Sequence, residues 1–277
     1  MIIEAPRKAV IPVGVVRHCA QGNRSTLPQA AEAAVERLLV RRAVEEALAS
    51  GFEELVFVTQ EGLAIVEGHS PTEPEPERTG PERLIGRPAA WGPAGWPRKV
   101  LISRHGRLHG LGHALWGARK AIGLDPFALL VPSHLIAAAV PAIKQVVDRY
   151  REQGGNVVAV ADAEVIERDG AFAAIIGSAR GRYVLQPDVF EALERQESLD
   201  LKRAILAMAE VWPLSALPLA GRCVERSSHA AVLEAQLAAA PRTKLEPDFV
   251  DHILQRCGMD RPAPGRPSMA AGLSGGG

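Results

Sequence analysis

Short apolar runs alternate with helical patterns along most of this chain, and that alternation limits the possible folds more than any other feature. Lys8-Ala9-Val10-Ile11-Pro12-Val13 has the length and apolar character of a strand buried in a parallel sheet. After a polar stretch from Gly14 to Pro28 comes a long helical pattern. Within it Val40, Val44 and Leu48 recur at four-residue spacing, with Val35 and Leu39 on an adjoining stripe. Ser50-Gly51 stops the helix, because glycine tolerates the left-handed C-terminal conformation. Leu55-Val56-Phe57-Val58 follows at once as a second strand, completing a right-handed βαβ unit. Val100-Leu101-Ile102, Phe127 to Val131 and Asn156 to Val160 predict further strands. His113 to Ile122 and Leu135 to Glu152 predict helices, the second ending at Gly154-Gly155. The pattern predicts an α/β fold with a mostly parallel, Rossmann-like sheet and helices on both faces.

Two regions depart from it. Between His69 and Pro97 the prolines at 71, 74, 76, 81, 88, 93 and 97 argue against regular structure, and Trp91 and Trp96 are expected to pack that segment onto the body. The last third is less periodic. Ala171 to Ile176 and Tyr183-Val184-Leu185 read as strands, while Pro187 to Glu194, Leu199 to Val211 and His229 to Ala239 read as helices. Residues 261–277, rich in Pro, Gly, Ser and Ala, are expected to be a disordered tail on a single domain spanning 1–260.

Composition excludes several functions. Lys plus Arg and Asp plus Glu both number 32, so no net charge draws the chain to nucleic acid or to an anionic membrane. Cys19, Cys223 and Cys257 lie far apart, which argues against a disulfide framework and a thiolate zinc site. The start, Met1-Ile2-Ile3-Glu4-Ala5-Pro6, is unlike a signal peptide, and no apolar stretch approaches the ~20 residues of a membrane span. A cytoplasmic protein is expected.

The same segments resemble bacterial UTP–glucose-1-phosphate uridylyltransferases. The likeness runs from Lys8–Val13 through Val44-Glu45-Glu46, Ser50-Gly51 and Glu54–Thr59 to Glu67 and His69. It resumes at Arg104 and Gly110-Leu111-Gly112-His113-Ala114. It continues through Asp125-Pro126-Phe127, Gly154–Val160, Gly181–Leu185 with Pro187, and Leu233-Glu234-Ala235 with Leu237-Ala238. The resemblance implies a nucleotidyltransferase-like sheet and a reaction joining UTP and glucose 1-phosphate to give UDP-glucose and pyrophosphate. Such chemistry needs backbone N–H groups on the phosphates, cationic clamps, and carboxylates holding magnesium.

Laid on that family, the chain lacks most of these parts. The family's Gly-x-Gly-Thr-Arg loop becomes Gly14-Val15-Val16-Arg17-His18-Cys19, so Val15 and Arg17 replace glycines and Cys19 replaces the arginine. Valine's branched side chain blocks the close approach that glycine allows. Pro28 remains, but the lysine after it is Gln29. Val131-Pro132-Ser133 stands for Leu-Pro-Asp, replacing a metal carboxylate by a hydroxyl. In the family's Asp-x-Gly-x-Lys motif, Glu225, Ser227 and His229 take the three named positions. Glu225 is the one metal-ligand candidate. The Glu-Lys-Pro segment of the sugar side has no counterpart, since only 161–180 fills the interval. The candidate nucleotide contacts are Val13, Gly14, Arg104, His105, Gly110 and Gly112. Arg104-His105 stands for the family's Arg-Gln, and histidine too can donate and accept hydrogen bonds to a base. Gly110 and Gly112 either leave room for the base or simply turn the chain into a helix. Arg17, Arg24 and His229 are candidate substitutes for lost cations.

Other constellations carry less. His105, His109 and His113 are four apart, as for a metal on one helix face, but Gly106, Gly110 and Gly112 interrupt any such helix. Gly177-Ser178-Ala179-Arg180-Gly181 has its serine one place early for a nucleophile elbow and reads as a turn. His18 and Cys19 are adjacent, so on extended chain they face opposite ways and make no dyad. The favoured expectation is a non-catalytic or impaired relative that binds a uridine nucleotide or nucleotide sugar, alone or as a homo-oligomer, or that pairs with an active relative. An active uridylyltransferase with a rebuilt, magnesium-dependent site, and a different nucleotidyltransferase, are the alternatives.

Overall fold

The computed structural model describes residues 3–14, 29–60, 82–85, 99–105, 109–161 and 172–225. In chain order the elements are β1 (Lys8–Pro12), α1 (Gln29–Ala49), β2 (Glu54–Gln60), β3 (Glu82–Ile85), β4 (Lys99–His105), α2 (Leu111–Gly117) and α3 (Arg119–Ile122). There follow β5 (Phe127–Leu130), β6 (His134–Ala137), α4 (Ala142–Gln153), β7 (Asn156–Val160), α5 (Phe172–Gly177) and β8 (Ala179–Leu185). The last are α6 (Val189–Glu194), α7 (Leu201–Met208), β9 (Leu214–Pro218) and β10 (Arg222–Glu225).

Eight strands form one sheet in the order β3-β4-β2-β1-β5-β8-β7-β9. The pairs β4-β2, β2-β1, β1-β5 and β7-β9 are parallel, while β3 and β8 run against their neighbours. A mostly parallel sheet is what continuous apolar runs demand, since both faces of such strands are covered. In β1, Ala9, Ile11 and the following Val13 join the core under α1 and α4, while Val10 faces the opposite core under α2, α6 and α7. Val40, Val44 and Leu39 of α1 are buried as their spacing predicts.

Several local readings are corrected. Leu135 to Glu152 is not one helix. Pro141 disfavours helix for the residue before it, so the chain first makes β6, which pairs antiparallel with β10, and then α4. The apolar run from Ala171 to Ile176 reads as a strand but forms α5, an ambiguity that short apolar runs carry. The proline-rich segment does contain a strand. Glu82–Ile85 is free of proline and adds to the sheet's edge, where proline on either flank is tolerated. His113 to Ile122 is divided into α2 and α3 and starts earlier, and α7 is shorter than Leu199 to Val211. Asp200 caps α7 by accepting from Lys202 N–H and Arg203 N–H, at 2.7 and 3.1 Å. The helix expected over 229–239 and the tail lie outside the described residues.

One ion pair ties the layers together. Arg182 of β8, with a side chain only 2% exposed, donates to Glu46 of α1 through Nε at 2.9 and 3.1 Å and through a terminal nitrogen at 2.8 Å. Its other terminal nitrogen donates to the Val131 carbonyl at 3.0 Å, and Glu46 also accepts from Ile143 N–H at the start of α4 at 2.7 Å. A cleft of about 160 Å³ opens beside the pair, between α1 and β6. Replacing Arg182 by methionine strands the Glu46 carboxylate, and urea unfolding should show a loss of about 3–5 kcal/mol. The double replacement with Glu46→Leu should lose less.

Candidate functional site

In open α/β sheets ligands meet the carboxyl ends of the strands where the strand order reverses. Here the order reverses at β1, between β2 and β5, and the candidate residues gather along that edge. Val13 and Gly14 leave β1. Arg104 and His105 end β4, paired with Thr59 and Gln60 of β2. Gly110 opens α2. Ser133 follows β5, and Glu225 ends β10 opposite His134. The strand order thus brings Val13, Gly14, Arg104, His105 and Ser133 to one side of the sheet, while Glu225 is placed by the separate β10–β6 pair. Arg17, Arg24 and His229 lie outside the described residues.

At the start of this edge the backbone donors are committed. Val13 N–H donates to the Val58 carbonyl at 2.8 Å. Gly14, at a left-handed φ of 77°, donates its N–H to the buried carboxylate of Glu36 at 2.9 Å. A phosphate-cradling turn would keep such an N–H for the ligand. Here a carboxylate, which repels phosphate, accepts it.

The two glycines before the helix play different parts. Gly110 precedes α2 with φ of 150°, a conformation side-chain-bearing residues avoid. Gly112 is buried against the turn before α7, where a Cβ would stand 1.9 Å from the Leu199 carbonyl oxygen. Its missing side chain makes room for protein backbone. His109 and His113 stack with centroids 5.5 Å apart, His113 accepts from His109 N–H at 3.2 Å, and His105 belongs to β4. The three histidines therefore do not share a helix.

At Ser133 the side chain offers no carboxylate to a metal. Ser133 Oγ and His134 Nδ1 lie 2.8 Å apart and satisfy each other. Burial, followed by the positive fields of Arg180 and Arg182, lowers the His134 pKa to about 4. A hydroxyl and an imidazole near guanidinium charge are poor company for magnesium, which wants carboxylate oxygens. Among the described residues no group of three or more His, Cys, Asp or Glu is placed to hold a metal. Ser178, weighed as a nucleophile, instead donates its hydroxyl to the Ile175 carbonyl at 3.0 Å and finishes α5.

Arg180 was not singled out in the sequence. It lies within a segment that reads as a turn, and only the antiparallel course of β8 brings it to the site edge. The available signal was the change from turn-forming Gly177-Ser178 to the alternation of Arg180, Arg182 and Val184.

The chain is 28% identical over 225 residues to UTP–glucose-1-phosphate uridylyltransferase 1 of Staphylococcus saprophyticus, covering 69% of this chain and 76% of that protein. It is 25% identical over 250 residues to the Bacillus subtilis enzyme of that name, covering 78% and 85%. It is a homologue of the bacterial UTP–glucose-1-phosphate uridylyltransferases. The fold agrees. A UTP-bound UGPase from Acinetobacter baumannii superposes with TM-score 0.59 at 19% identity, over 90% of this chain and 99% of that one. A UDP-glucose pyrophosphorylase complexed with UDP-glucose gives 0.55 at 18%, over 84% and 98%. No protein-family profile matches the chain. No helix of the described residues is long and apolar enough to cross a membrane.

Much of what carries the likeness to these uridylyltransferases is framework. Glu46 and Arg182 form the buried pair. Asn156 Oδ1 accepts from Gln186 N–H at 2.9 Å, and at Gly155 a Cβ would stand 2.3 Å from the Pro213 carbonyl oxygen. Gly112→Ala should therefore lower unfolding free energy by about 1–3 kcal/mol through overpacking alone. His134 supplies a pH test. Its native pKa of about 4 lies below the model-peptide 6.5, so the unfolded chain binds the extra proton. Stability from neutral His134 is complete above pH 6.5 and is lost as pH falls towards 4. Melting temperatures across this range should drop more steeply for the natural chain than for His134→Asn.

Proposed function

We propose that this protein binds a uridine nucleotide or nucleotide sugar without catalysing nucleotidyl transfer. The observation that carries the reading is Ser133, bonded to His134 at 2.8 Å in the arginine-rich place where the family's Leu-Pro-Asp carboxylate would be. Nucleotidyl transfer spreads negative charge over the reacting phosphate, and a protein accelerates it chiefly by neutralising that charge in place. A hydroxyl cannot hold magnesium as a carboxylate does, and the Gly14 N–H is given to Glu36. Both features fall on the phosphate-handling half of the edge. The base-handling half keeps an arginine and a hydrogen-bonding side chain at the end of β4, at Arg104 and His105. Binding of UTP and of UDP-glucose by the structural neighbours named above supports the ligand class.

Calorimetric titration with UTP and UDP-glucose, each with and without magnesium, tests the proposal, with product assayed in the same samples. Binding should occur with a Kd that magnesium changes less than about threefold, and no UDP-glucose should form from UTP and glucose 1-phosphate. Magnesium-dependent turnover would overturn it and return Glu225, Arg17 and Arg24 to the role of a rebuilt site.

A further inference from the structure

We propose that Arg180, with Ser133 and His134, forms a seat for a phosphoryl group that works without a divalent cation. The proposal deepens the nucleotide-binding reading and rests on it only for the ligand's identity. β8 enters the sheet antiparallel between β5 and β7, so its first residues lie beside the C-terminal ends of both. Val131 N–H donates to the Gly181 carbonyl at 2.8 Å, and a Cβ on Gly181 would stand 3.1 Å from Ser133 Oγ. Gly181 holds a left-handed φ of 70°, and the neighbouring Arg180 lies near enough for its charge to act on His134.

Three charged residues meet near this place: Arg182, Arg180 and, opposite His134 in the β6–β10 pair, Glu225. Arg182 is neutralised by Glu46. Arg180 is only half-exposed, and among the described residues it has neither a carboxylate partner nor a hydrogen bond. A partly desolvated guanidinium without an anion is unfavourable, and its flat array of donors suits phosphate oxygens. Neutral histidine carries one N–H and serine one O–H. Their mutual bond consumes one of these donors whichever tautomer holds, leaving the other for an incoming oxygen. A guanidinium and one neutral donor at a strand edge offer an incoming anion a charge and a hydrogen bond. In this reading the position that is a metal carboxylate in the family takes phosphate directly.

Titration of the full chain in EDTA with uridine, UTP and glucose 1-phosphate tests the seat. Arg180→Gln should weaken the phosphate-bearing ligand at least tenfold, Arg180→Lys should recover part of the loss, and Ser133→Ala should cost a few-fold. Uridine should bind all variants alike, and matching circular dichroism melts would exclude misfolding. Phosphate-bearing ligands that bind Arg180→Gln as tightly as the natural chain would overturn the seat, and if uridine and UTP still bind, the nucleotide reading survives. Glucose 1-phosphate that binds in an Arg180-dependent way, without uridine or UTP, would keep the seat and remove the nucleotide reading. No binding by any ligand would overturn both.

Discussion

Arg182 and Glu46 meet across the middle of the protein with almost no contact with water, and the placement of the site follows from that meeting. Two charges taken out of water are favourable only when geometry and extra hydrogen bonds make up the desolvation. Here the guanidinium gives three bonds to the carboxylate and one to the Val131 carbonyl, while the carboxylate also accepts from Ile143 N–H. One cluster therefore fixes α1, α4, β5 and β8 against each other. Its further consequence is local: with Arg182 fixed in β8, Gly181 is pressed on Val131 and Ser133, and Arg180 is carried to the edge where β5 ends.

The proposed function depends on the charge at that edge. A carboxylate, Glu36, takes the Gly14 N–H, and guanidinium charge surrounds the place where a carboxylate would hold a cation. Electrostatic stabilisation of a transition state depends on sign and position before it depends on strength. Under the proposed function, an edge with this pattern holds an anion without reacting it.

The sheet was legible in the residues because buried parallel strands leave continuous apolar runs between helical patterns, as in Lys8–Val13 and Leu55–Val58. What was hidden had no such periodic signature. β6 is four residues long and exists by pairing with β10, which is distant in sequence. α5 is a short apolar run whose helical state is decided by packing beneath β7 and α7. Ser133 and Glu225 could be placed by resemblance, and the pairing of Glu225 with His134 brings them to one place. Arg180 could not, because its significance arises from the reversed direction of β8 and from the balance of neighbouring charges.

The residues that make this chain recognisable and those that decide its chemistry are largely different sets. Glu46, Arg182, Gly155, Asn156 and Gly112 have roles in ion pairing, backbone approach and packing that any ligand would leave unchanged. They account for agreement in fold at 17–19% identity without bearing on what is transformed. Ser133, His134 and Arg180 stand at the strand edge instead, and Glu36 of α1 reaches Gly14 there. Under the proposed function, this scaffold keeps its ligand's shape and charge as requirements without the metal. The retained rigidity has a purpose under that view: a phosphoryl seat built from one arginine and one neutral donor works only if β8 holds them together, and the buried ion pair one residue beyond Gly181 is what holds β8.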